Sequence, residues 1–418
     1  MGRSKRRKTV LTIVFDGNTV NLSRDRLIYR AEGNANLVLA IPHLGQVLRL
    51  RKSPKNSEHH AHDHANMVTE YARCIGCLFA KRFTIEPKLV HLRILNYEDV
   101  NRWLNKFRPS VRCDKEIRCS AGILYPDLAI LRRDHLPSDI QVTGETFCVE
   151  IKPKQGWIFP QATFTALLPE YTAQLCRYCA MQYLKLTKKT IKRVSNYCPI
   201  DLFSGDRDRM LTALRGLVET PQNNFRMWRS GQLIFGDGIN NGLQDALQDI
   251  MLQGDPSQNL NNFLQLLLAA ILNDSTGSTV PNGILPPGSI LKQILDVQIF
   301  ARDNLAIAME SVVDEEQSFG NIERILAKGQ GSEDWLASLS GVEKYFLGAT
   351  ALDCSLMITF QKVSCGDTEH ILQVAGERFA ISMTIMDLDP KGDSHPIKYL
   401  KQTRMSYKAH KEFNQNTN

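Results

Sequence analysis

The sequence predicts an α+β protein made of two lobes. Its 418 residues exceed what one small domain needs and are enough for two hydrophobic cores. Short β-branched and apolar segments, such as residues 9–15 and 147–151, predict strands. Longer segments with apolar residues at helical spacing, such as 65–81 and 206–219, predict helices.

A tight turn between two strands is predicted near the N-terminus. Residues 27–29 lead into the small-residue segment 32–36, the apolar residues 37–41 follow, and 47–50 predict a third strand. A hairpin tip with little side chain lets backbone N–H groups approach a phosphate. Gly-Asn turns are also common for conformational reasons alone, so this turn leaves both interpretations open.

The rest of the chain alternates between helix and strand. Residues 231–287 are rich in Gly, Pro and polar residues, so we expect loops there around one apolar helix, and a basic segment at 398–411 closes the chain. Further helices are predicted at 171–189, 260–272, 321–328 and 341–347, and further strands at 355–360 and 379–386.

The chain carries a modest positive charge. Lys and Arg number 51 against 44 Asp and Glu, which gives a net charge of +7. This excess suits a protein that handles anions, whether nucleic acid, lipid headgroups or a phosphorylated small molecule. Scattered Cys, no secretory signal and no apolar stretch long enough to cross a bilayer predict an intracellular protein. The basic residues 2–8 predict either a nuclear localisation signal or a solvated tail.

Residues 150–154 read Glu-Ile-Lys-Pro-Lys at the end of a predicted strand. Proline holds the residue before it extended, so the segment should stay straight and project Lys152, Lys154 and Glu150 to one side. Two aligned ammonium groups would clamp a polyphosphate, and Glu150 could orient one of them. A solvated strand end would also suit two flexible lysines.

Acidic side chains stand at the ends of two predicted strands. Asp353 precedes residues 355–360, and Asp387 and Asp389 follow residues 379–386. In magnesium-ATP chemistry one such acid accepts the proton of the attacking hydroxyl, and another holds the metal ion. The alternative is an ordinary Asp at a strand end.

Residues 220–226 place two amides and a guanidinium after a predicted helix. Asn223, Asn224 and Arg226 would supply hydrogen-bond donors in a small space, and Arg suits bidentate contact with phosphate. An Asx turn in a connecting loop is the ordinary explanation of such a segment.

Taken together, these segments resemble the inositol-pentakisphosphate 2-kinase family. The match covers about residues 29–407, poorly over 231–341. It rests on ordered motifs: YRAEGNANLVLA (29–40), VLRLRK (47–52), CVEIKPKQGW (148–157), RYCAMQYLKL (177–186), DLFSGD (201–206), TPQNNFRMW (220–228), DCSLMITF (353–360) and DLDPK (387–391).

The resemblance implies a two-lobe, protein-kinase-like α+β architecture. Its parts would be a basic tail and first strand (1–26), an ATP-binding lobe (27–145) and a C-terminal lobe with the inositide-binding region (146–418). It implies transfer of the ATP γ-phosphate, with Mg²⁺, to the axial 2-hydroxyl of inositol 1,3,4,5,6-pentakisphosphate, which gives inositol hexakisphosphate (phytate). We also expect a monomer in the nucleus, the cytoplasm or both, which needs neither membrane nor nucleic acid.

The same resemblance implies roles for individual residues. The implied catalytic residues are Asp353 and Lys152. The residues implied for ATP are Gly33, Asn34, Ala35 and Asn36 over the phosphates, Arg49 in the position of the kinase lysine, Asp134 and His135 at the adenine hinge, Asn224 and Arg226 nearby, and Asp387 on magnesium. The residues implied for the inositide are Arg112, Lys152, Lys154, Lys185, Asn223, Lys391 and Tyr399.

The chain departs from the family pattern in two places. Plant members carry a zinc site of paired Cys and His in the central region, but residues 231–341 contain neither, so no zinc is predicted. Cys74 and Cys77 have C-x-x-C spacing inside a helical pattern and no second ligand pair at zinc-finger distance, which favours buried thiols. His395 stands where Arg or Lys is expected, which affects one phosphate contact.

Three other functions are compatible with parts of the sequence. The basic termini suit a nucleic-acid-binding protein, which would bind in a salt-dependent way without turning over ATP. A catalytically inactive inositide-binding scaffold would not need Asp353 and Asp387. A kinase that acts on another position of the inositol ring is excluded only by the family resemblance.

Overall fold

A computed structural model of the chain describes residues 9–55, 61–133, 136–172, 174–236, 238–239, 242–251, 255–273, 280–311, 318–329, 334–366 and 371–417. They form two compact units. The N-terminal unit takes the residues up to 73 together with 85–130, and the C-terminal unit takes 74–84 and the residues from 131 onward.

The N-terminal unit is built on an antiparallel sheet with the strand order β2-β1-β6-β8-β5-β4-β3, and β7 pairs with β5. Leu39, Leu48 and Val90 are completely or almost completely buried in its core. Two helices accompany the sheet, α1 (Ala61–Gly76), whose last residues belong to the C-terminal unit, and α2 (Tyr97–Leu104). The strands are β1 (Thr9–Phe15), β2 (Asn18–Ser23), β3 (Ile28–Glu32), β4 (Asn36–Ile41), β5 (Gln46–Pro54), β6 (Lys88–Ile94), β7 (Lys115–Ile117) and β8 (Ala121–Pro126).

The C-terminal unit is built on a second antiparallel sheet with the strand order β11-β10-β9-β12-β14-β13. The strands are β9 (Gln141–Ile151), β10 (Phe225–Arg229), β11 (Gln232–Phe235), β12 (Ser355–Cys365), β13 (Ile371–Val374) and β14 (Glu377–Met386). The helices are α3 (Gln161–Leu167), α4 (Arg177–Thr187), α5 (Pro199–Leu202), α6 (Arg207–Glu219), α7 (Leu243–Ile250), α8 (Pro256–Ile271), α9 (Ile290–Glu310), α10 (Gly320–Ala327), α11 (Trp335–Ser338), α12 (Gly341–Ala351) and α13 (His395–Thr417).

The centre of this second sheet explains its stability. Val149 on β9 pairs with Met227 on β10 and with Ile358 on β12, and all three side chains are almost completely buried. Phe360 on β12 packs against both Phe147 and Phe379 at ring-centroid distances of about 6 Å. Strands buried on both faces are apolar at successive positions, and residues 147–149 show that pattern.

The α+β fold class predicted from the sequence is confirmed, with differences in detail. The helix predicted at 171–189 is shorter, because α4 spans only Arg177–Thr187. The segment expected to be mostly loop contains β11 and α7 besides the predicted α8. Helix α9 and the helical form of the basic C-terminal segment, α13, were not predicted. Within the described residues, no helix is both long and apolar enough to cross a membrane.

Candidate active site

The termini of three neighbouring strands lie side by side at one end of the C-terminal sheet. β9 ends immediately before Lys152, β12 begins two residues after Asp353, and β14 ends immediately before Asp387. Because β12 is antiparallel to both neighbours, its start lies beside the ends of β9 and β14. The fold therefore brings Lys152, Asp353 and Asp387 to the same end of the sheet.

Lys152 is held by two carboxylates. Its Nζ donates to Asp387 Oδ2 at 2.9 Å and lies 3.7 Å from Glu150 Oε1, so the predicted pairing with Glu150 is present. Ser355 Oγ lies 2.8 Å from Glu150 Oε1 and 2.9 Å from Asp387 Oδ2, which joins the two acids. Burial acts to lower the pKa of Lys152, but Asp387 and Glu150 outweigh it and raise that pKa, so the charge is permanent at neutral pH.

Asp353 lies among lysines. Its Oδ1 accepts from Lys154 Nζ at 2.8 Å, and its Oδ2 lies 3.6 Å from Lys391 Nζ. Loss of solvent around the carboxylate acts to raise its pKa, but Lys154, Lys391 and Lys152 outweigh this and lower the pKa of Asp353 to about 2. The side chain is nevertheless 57% exposed, so an ionised carboxylate faces the solvent beside two ammonium groups.

The backbone is left-handed at two of these positions. Lys154 has φ +61° and Asp387 has φ +60°. The prediction that the Lys-Pro-Lys segment stays straight is therefore wrong at Lys154. A left-handed conformation costs a residue with Cβ roughly 1–2 kcal/mol, which Asp tolerates better than Lys. Such conformations cluster at functional sites, where the surrounding contacts maintain them.

A cavity of about 440 Å³ opens beside Asp353 in the C-terminal unit. Five basic side chains and one carboxylate line it, so its charge is strongly positive. The lining residues are Lys154, Gln155, Arg177, Tyr178, Met181, Lys185, Ala349, Leu352, Asp353, Lys391, His395, Lys398, Tyr399 and Gln402. A surface of this charge suits a ligand with several phosphates.

Helices α4 and α13 supply much of this lining from one face each. On α4, Arg177, Met181 and Lys185 follow at four-residue spacing, which places them on one side of the helix. Arg177 bridges to α13, because its NH2 donates to Gln402 Oε1 at 2.7 Å and its guanidinium lies 4.2 Å from the centre of the Tyr399 ring.

Burial shifts the pKa of three residues in the cavity. It lowers the pKa of Lys185, and the charge of Lys154 lowers it further. Burial also raises the pKa of Tyr399 to about 12, and the Tyr399 hydroxyl donates to Gln155 Oε1 at 2.5 Å. Burial and the charge of Lys391 lower the pKa of His395 to about 3, so His395 is neutral where the family pattern predicts a cation.

The Asn and Arg residues after α6 differ in the extent of their solvent exposure. Asn223 is exposed, whereas Asn224 is completely buried and its Nδ2 donates to Tyr178 Oη at 2.8 Å. The Asn224 carbonyl accepts from the Lys152 amide at 2.9 Å, which extends the pairing of β9 with β10. Arg226 donates through NH1 to Glu150 Oε2 at 2.8 Å. Asn224 and Arg226 thus support the Glu150–Lys152 pair.

The hairpin between β3 and β4 carries the predicted ATP-phosphate residues of the N-terminal unit. The Gly33 amide donates to the Asn36 carbonyl at 2.9 Å, which closes the turn. The Ala35 carbonyl accepts from the Lys52 amide at 2.8 Å, and the Asn34 side chain accepts from Lys115 Nζ at 3.1 Å.

The other predicted residues of this unit lie on β5 and before β7. Arg49 on β5 pairs with Val38 and with Ile123 of the neighbouring strands. Arg112 is partly exposed, and its carbonyl accepts from the Arg108 guanidinium. The predicted adenine hinge, Asp134 and His135, lies outside the described residues.

A buried ion cluster lies directly below the hairpin tip. Glu32 accepts from Lys52 Nζ at 2.5 Å and from Arg108 NH2 at 3.0 Å, and all three side chains are at most 1% exposed. Because Glu32 immediately precedes Gly33, this cluster fixes the base of the turn. The two cations belong to β5 and to the segment after α2, so sequence spacing gave no hint of it.

Three cysteines of the C-terminal unit form a cluster that the sequence analysis missed. The Sγ atoms of Cys176, Cys179 and Cys198 lie within 4.8 Å of one another. Contacts from the other two thiols lower the pKa of Cys198 and raise the pKa of Cys179. Such a group could bind a soft metal ion. The expectation of no zinc stays a prediction.

Comparison with known proteins identifies the family. A family model described as inositol-pentakisphosphate 2-kinase matches residues 29–404. The chain belongs to this family. Inositol-pentakisphosphate 2-kinases of Danio rerio and Arabidopsis thaliana are 29% and 27% identical to it, over 87% and 92% of this chain and 88% and 91% of theirs. The Drosophila melanogaster inositol-pentakisphosphate 2-kinase is 29% identical over 56% of this chain and 53% of its own length.

The geometry groups most of the inositide residues assigned through the family motifs. Lys154, Lys185, Lys391 and Tyr399 line the cavity together with Asp353. Arg177, Lys398 and Gln402 line the same cavity, but the sequence analysis gave them no role there. Helical spacing was the signal that could have found them, because Arg177 lies eight residues before Lys185, Gln402 lies three residues after Tyr399, and Lys398 lies four residues before Gln402.

Proposed function

We propose that this chain transfers the γ-phosphate of ATP to the 2-hydroxyl of inositol 1,3,4,5,6-pentakisphosphate and releases inositol hexakisphosphate. Membership of the family supplies the reaction. The observation that carries the proposal within the chain is the cavity of about 440 Å³ in which five basic side chains meet Asp353. A substrate with five phosphates needs a dense field of cations to bind.

The basic side chains would divide the work of binding. Arg177 presents a planar fork that suits two oxygens of one phosphate, whereas Lys154, Lys185, Lys391 and Lys398 act as point charges. Such a set holds the inositol ring in one orientation, and positioning is a large part of phosphoryl-transfer catalysis. Loss of one lysine should therefore weaken binding gradually rather than abolish it.

Asp353 would accept a hydrogen bond, and then the proton, from the attacking hydroxyl. Its low pKa keeps it ionised at neutral pH in the ligand-free protein. A substrate phosphate would compete for Lys154 and Lys391, and every contact that these lysines transfer to phosphate raises the pKa of Asp353. Substrate binding would thus make Asp353 a stronger base when it is needed.

Asp387 is the proposed ligand of magnesium, and its surroundings fit a hard cation. Carboxylate oxygens are preferred ligands of Mg²⁺, and the Asp387 side chain is 40% exposed at the sheet edge. Bound there, such an ion would neutralise charge on the transferring phosphoryl group. Lys152 contacts the same carboxylate and would add a permanent positive charge beside it, as proposed for a catalytic residue.

The nucleotide residues and the architecture remain part of this proposal. The hairpin Gly33–Asn36 and Arg49 would contact the ATP phosphates, and the closed turn at Gly33 supports a hairpin of fixed shape. Asn224 and Arg226 are also proposed as ATP residues, on the family motifs alone. The family resemblance supports a two-lobe, protein-kinase-like architecture with parts 1–26, 27–145 and 146–418. The proposal also includes a monomer in the nucleus or cytoplasm.

The alternative functions are not favoured. A nucleic-acid-binding protein would account neither for the family match nor for the cavity in which basic side chains surround Asp353. An inactive scaffold would have no use for a carboxylate that stays ionised beside the proposed phosphate site.

Product analysis tests the proposal. The full chain is incubated with magnesium-ATP and inositol 1,3,4,5,6-pentakisphosphate, and the products are separated by chromatography. We expect inositol hexakisphosphate, and no reaction with a pentakisphosphate isomer that already carries phosphate on the 2-position. Absence of product from a folded protein that binds ATP would contradict the proposal, and reaction of the other isomer would contradict its regiochemistry.

A further inference from the structure

A neutral side chain on α9 joins the two segments that carry Lys154 and Asp353. Gln298 is completely buried. Its Nε2 donates to the Lys154 carbonyl at 2.8 Å and to the Ala351 carbonyl at 3.0 Å, and its Oε1 accepts from the Gly156 amide at 2.9 Å. One amide group therefore satisfies three backbone groups from two different segments.

These backbone groups lie next to the proposed chemistry. Lys154 is the residue with φ +61° whose Nζ contacts Asp353 at 2.8 Å. Ala351 is the last residue of α12, two positions before Asp353. Gln298 thus fixes the backbone at both ends of the Lys154–Asp353 contact.

The chemistry of the three groups explains why glutamine stands here. Two carbonyls require donors and one amide requires an acceptor, and a carboxamide offers both. A carboxylate would face the two carbonyl oxygens with acceptors only, and an apolar side chain would leave three buried groups unsatisfied. The helices leave little freedom to adjust, because a Cβ at Gly348 on α12 would lie 2.2 Å from the Ala301 amide nitrogen on α9.

We propose that Gln298 is a positioning residue for phosphoryl transfer, because it sets the placement of Lys154 relative to Asp353. The inference rests on the proposed function, since it needs those two residues to act on the inositide and its hydroxyl. Gln298 itself lines no part of the cavity described above and acts only through the backbone of its neighbours. A misplacement of about 1 Å at a reacting group can cost about a hundredfold in rate.

The test replaces Gln298 by Glu, which keeps the shape and removes the donors. Turnover is measured well below the unfolding temperature and expressed per folded molecule, with KM for ATP measured in parallel. We expect Gln298→Glu to lower kcat about 10- to 100-fold with little change in KM for ATP. In an Asp353→Asn background the same change should cost much less, because the geometry that it disturbs no longer serves a base.

Gln293 provides a matched control on the same helix. Its Oε1 accepts from the Ala80 amide at 2.7 Å and its Nε2 donates to the Gly288 carbonyl at 3.3 Å, so it also joins two backbone segments. Gln293→Glu should lower the melting temperature and leave kcat unchanged. A second variant, Gln298→Met, removes the hydrogen bonds without adding a charge and should also lower kcat.

The outcomes separate the inference from the proposed function. If the unchanged chain makes no inositol hexakisphosphate, the proposed function fails. If it does, and Gln298→Glu only lowers the melting temperature as Gln293→Glu does, the positioning role is rejected. It is rejected equally if neither variant of Gln298 folds while Gln293→Glu does, because Gln298 is then a determinant of folding alone.

Discussion

In each unit of the molecule a carboxylate lies among several cations, and these two clusters differ in exposure. In the N-terminal unit, Glu32 meets Lys52 and Arg108, and all three side chains are at most 1% exposed. In the C-terminal unit, Asp353 meets Lys154 and Lys391, and it is 57% exposed in a cavity with three further cations.

The difference shows how the same residue types serve structure in one place and binding in another. The cations around Glu32 are buried away from water, so their charges contribute to the stability of the fold and cannot bind a ligand. The cations around Asp353 outnumber it and are partly exposed to solvent, so they can exchange their contacts with Asp353 for contacts with an anionic ligand. Surplus exposed charge, rather than ion pairing itself, separates a proposed site from a structural cluster.

The largest expected effect is on catalysis by Asp353. Asp353→Asn removes the proposed proton acceptor and should lower kcat up to about 10⁴-fold. Steady-state assays with magnesium-ATP and inositol pentakisphosphate measure it. Asp296→Asn is the control, because Asp296 is a similarly exposed Asp paired with Lys292 at 2.6 Å on the surface of the same unit. Equal activity of the two variants would remove Asp353 from the mechanism.

The next effect is on stability and concerns the cluster around Glu32. Arg108→Ala leaves a buried carboxylate with one fewer cation, so the free energy of unfolding should fall by about 3 kcal/mol. Arg24→Ala breaks an ion pair with Asp99 in which both side chains are nearly half exposed, and it should cost under about 1 kcal/mol. Chemical denaturation of both variants checks the difference. Equal losses in the free energy of unfolding would show that the Glu32 cluster stabilises the fold no more than an exposed ion pair does.

A smaller effect is expected for a single cavity cation. Lys398→Ala should raise KM for the inositide about tenfold and change kcat little, because it removes one charge-assisted contact among several. Lys401→Ala on the same helix removes an exposed lysine that does not line the cavity and should leave KM unchanged. A drop in kcat without a change in KM for Lys398→Ala would contradict its role in binding.

The smallest expected effect is a shift in the pH dependence of KM for the inositide. Burial and Lys154 lower the pKa of Lys185, so Lys185 loses its charge earlier than an ordinary lysine as pH rises. KM for the inositide should therefore begin to increase at a lower pH than it would with an ordinary lysine, and Lys185→Arg should move this increase to higher pH because Arg stays charged. KM profiles of the two proteins measure the shift, and superimposable profiles would exclude Lys185 as the cause.

Much of the sheet in the C-terminal unit could be predicted from the sequence, but its longest connections could not. Residues 147–151 and 379–386 are apolar and β-branched, so the strands were evident. Helix α9 was missed although Ile290, Ile294 and Val297 recur at helical spacing, because the region around it is rich in Gly and Pro. The role of α9 was not predictable, because Gln298 donates to the carbonyls of Ala351 and Lys154, which lie 53 and 144 residues away in the sequence.

The site shows the same division. Asp353, Lys154 and Lys391 were predicted because acids and lysines at strand ends fit magnesium-ATP chemistry and the family motifs, and the structure brings their side chains together. Arg177 was missed although its spacing from Lys185 places both on one face of the predicted helix, but its contact with Tyr399 depends on how α4 packs against α13, which no local pattern encodes. The cluster of Glu32 with Arg108 joins residues 76 positions apart and was equally invisible.

The central claim is that the cations around Asp353 are available to a polyphosphate, with Asp353 as their competitor. The most direct test is the dissociation constant of inositol 1,3,4,5,6-pentakisphosphate for the unchanged chain and for Asp353→Asn, without nucleotide, by calorimetric titration. The account predicts that Asp353→Asn binds about three- to tenfold more tightly, because it frees Lys154 and Lys391 and removes a like charge. Weaker binding by Asp353→Asn would contradict the account.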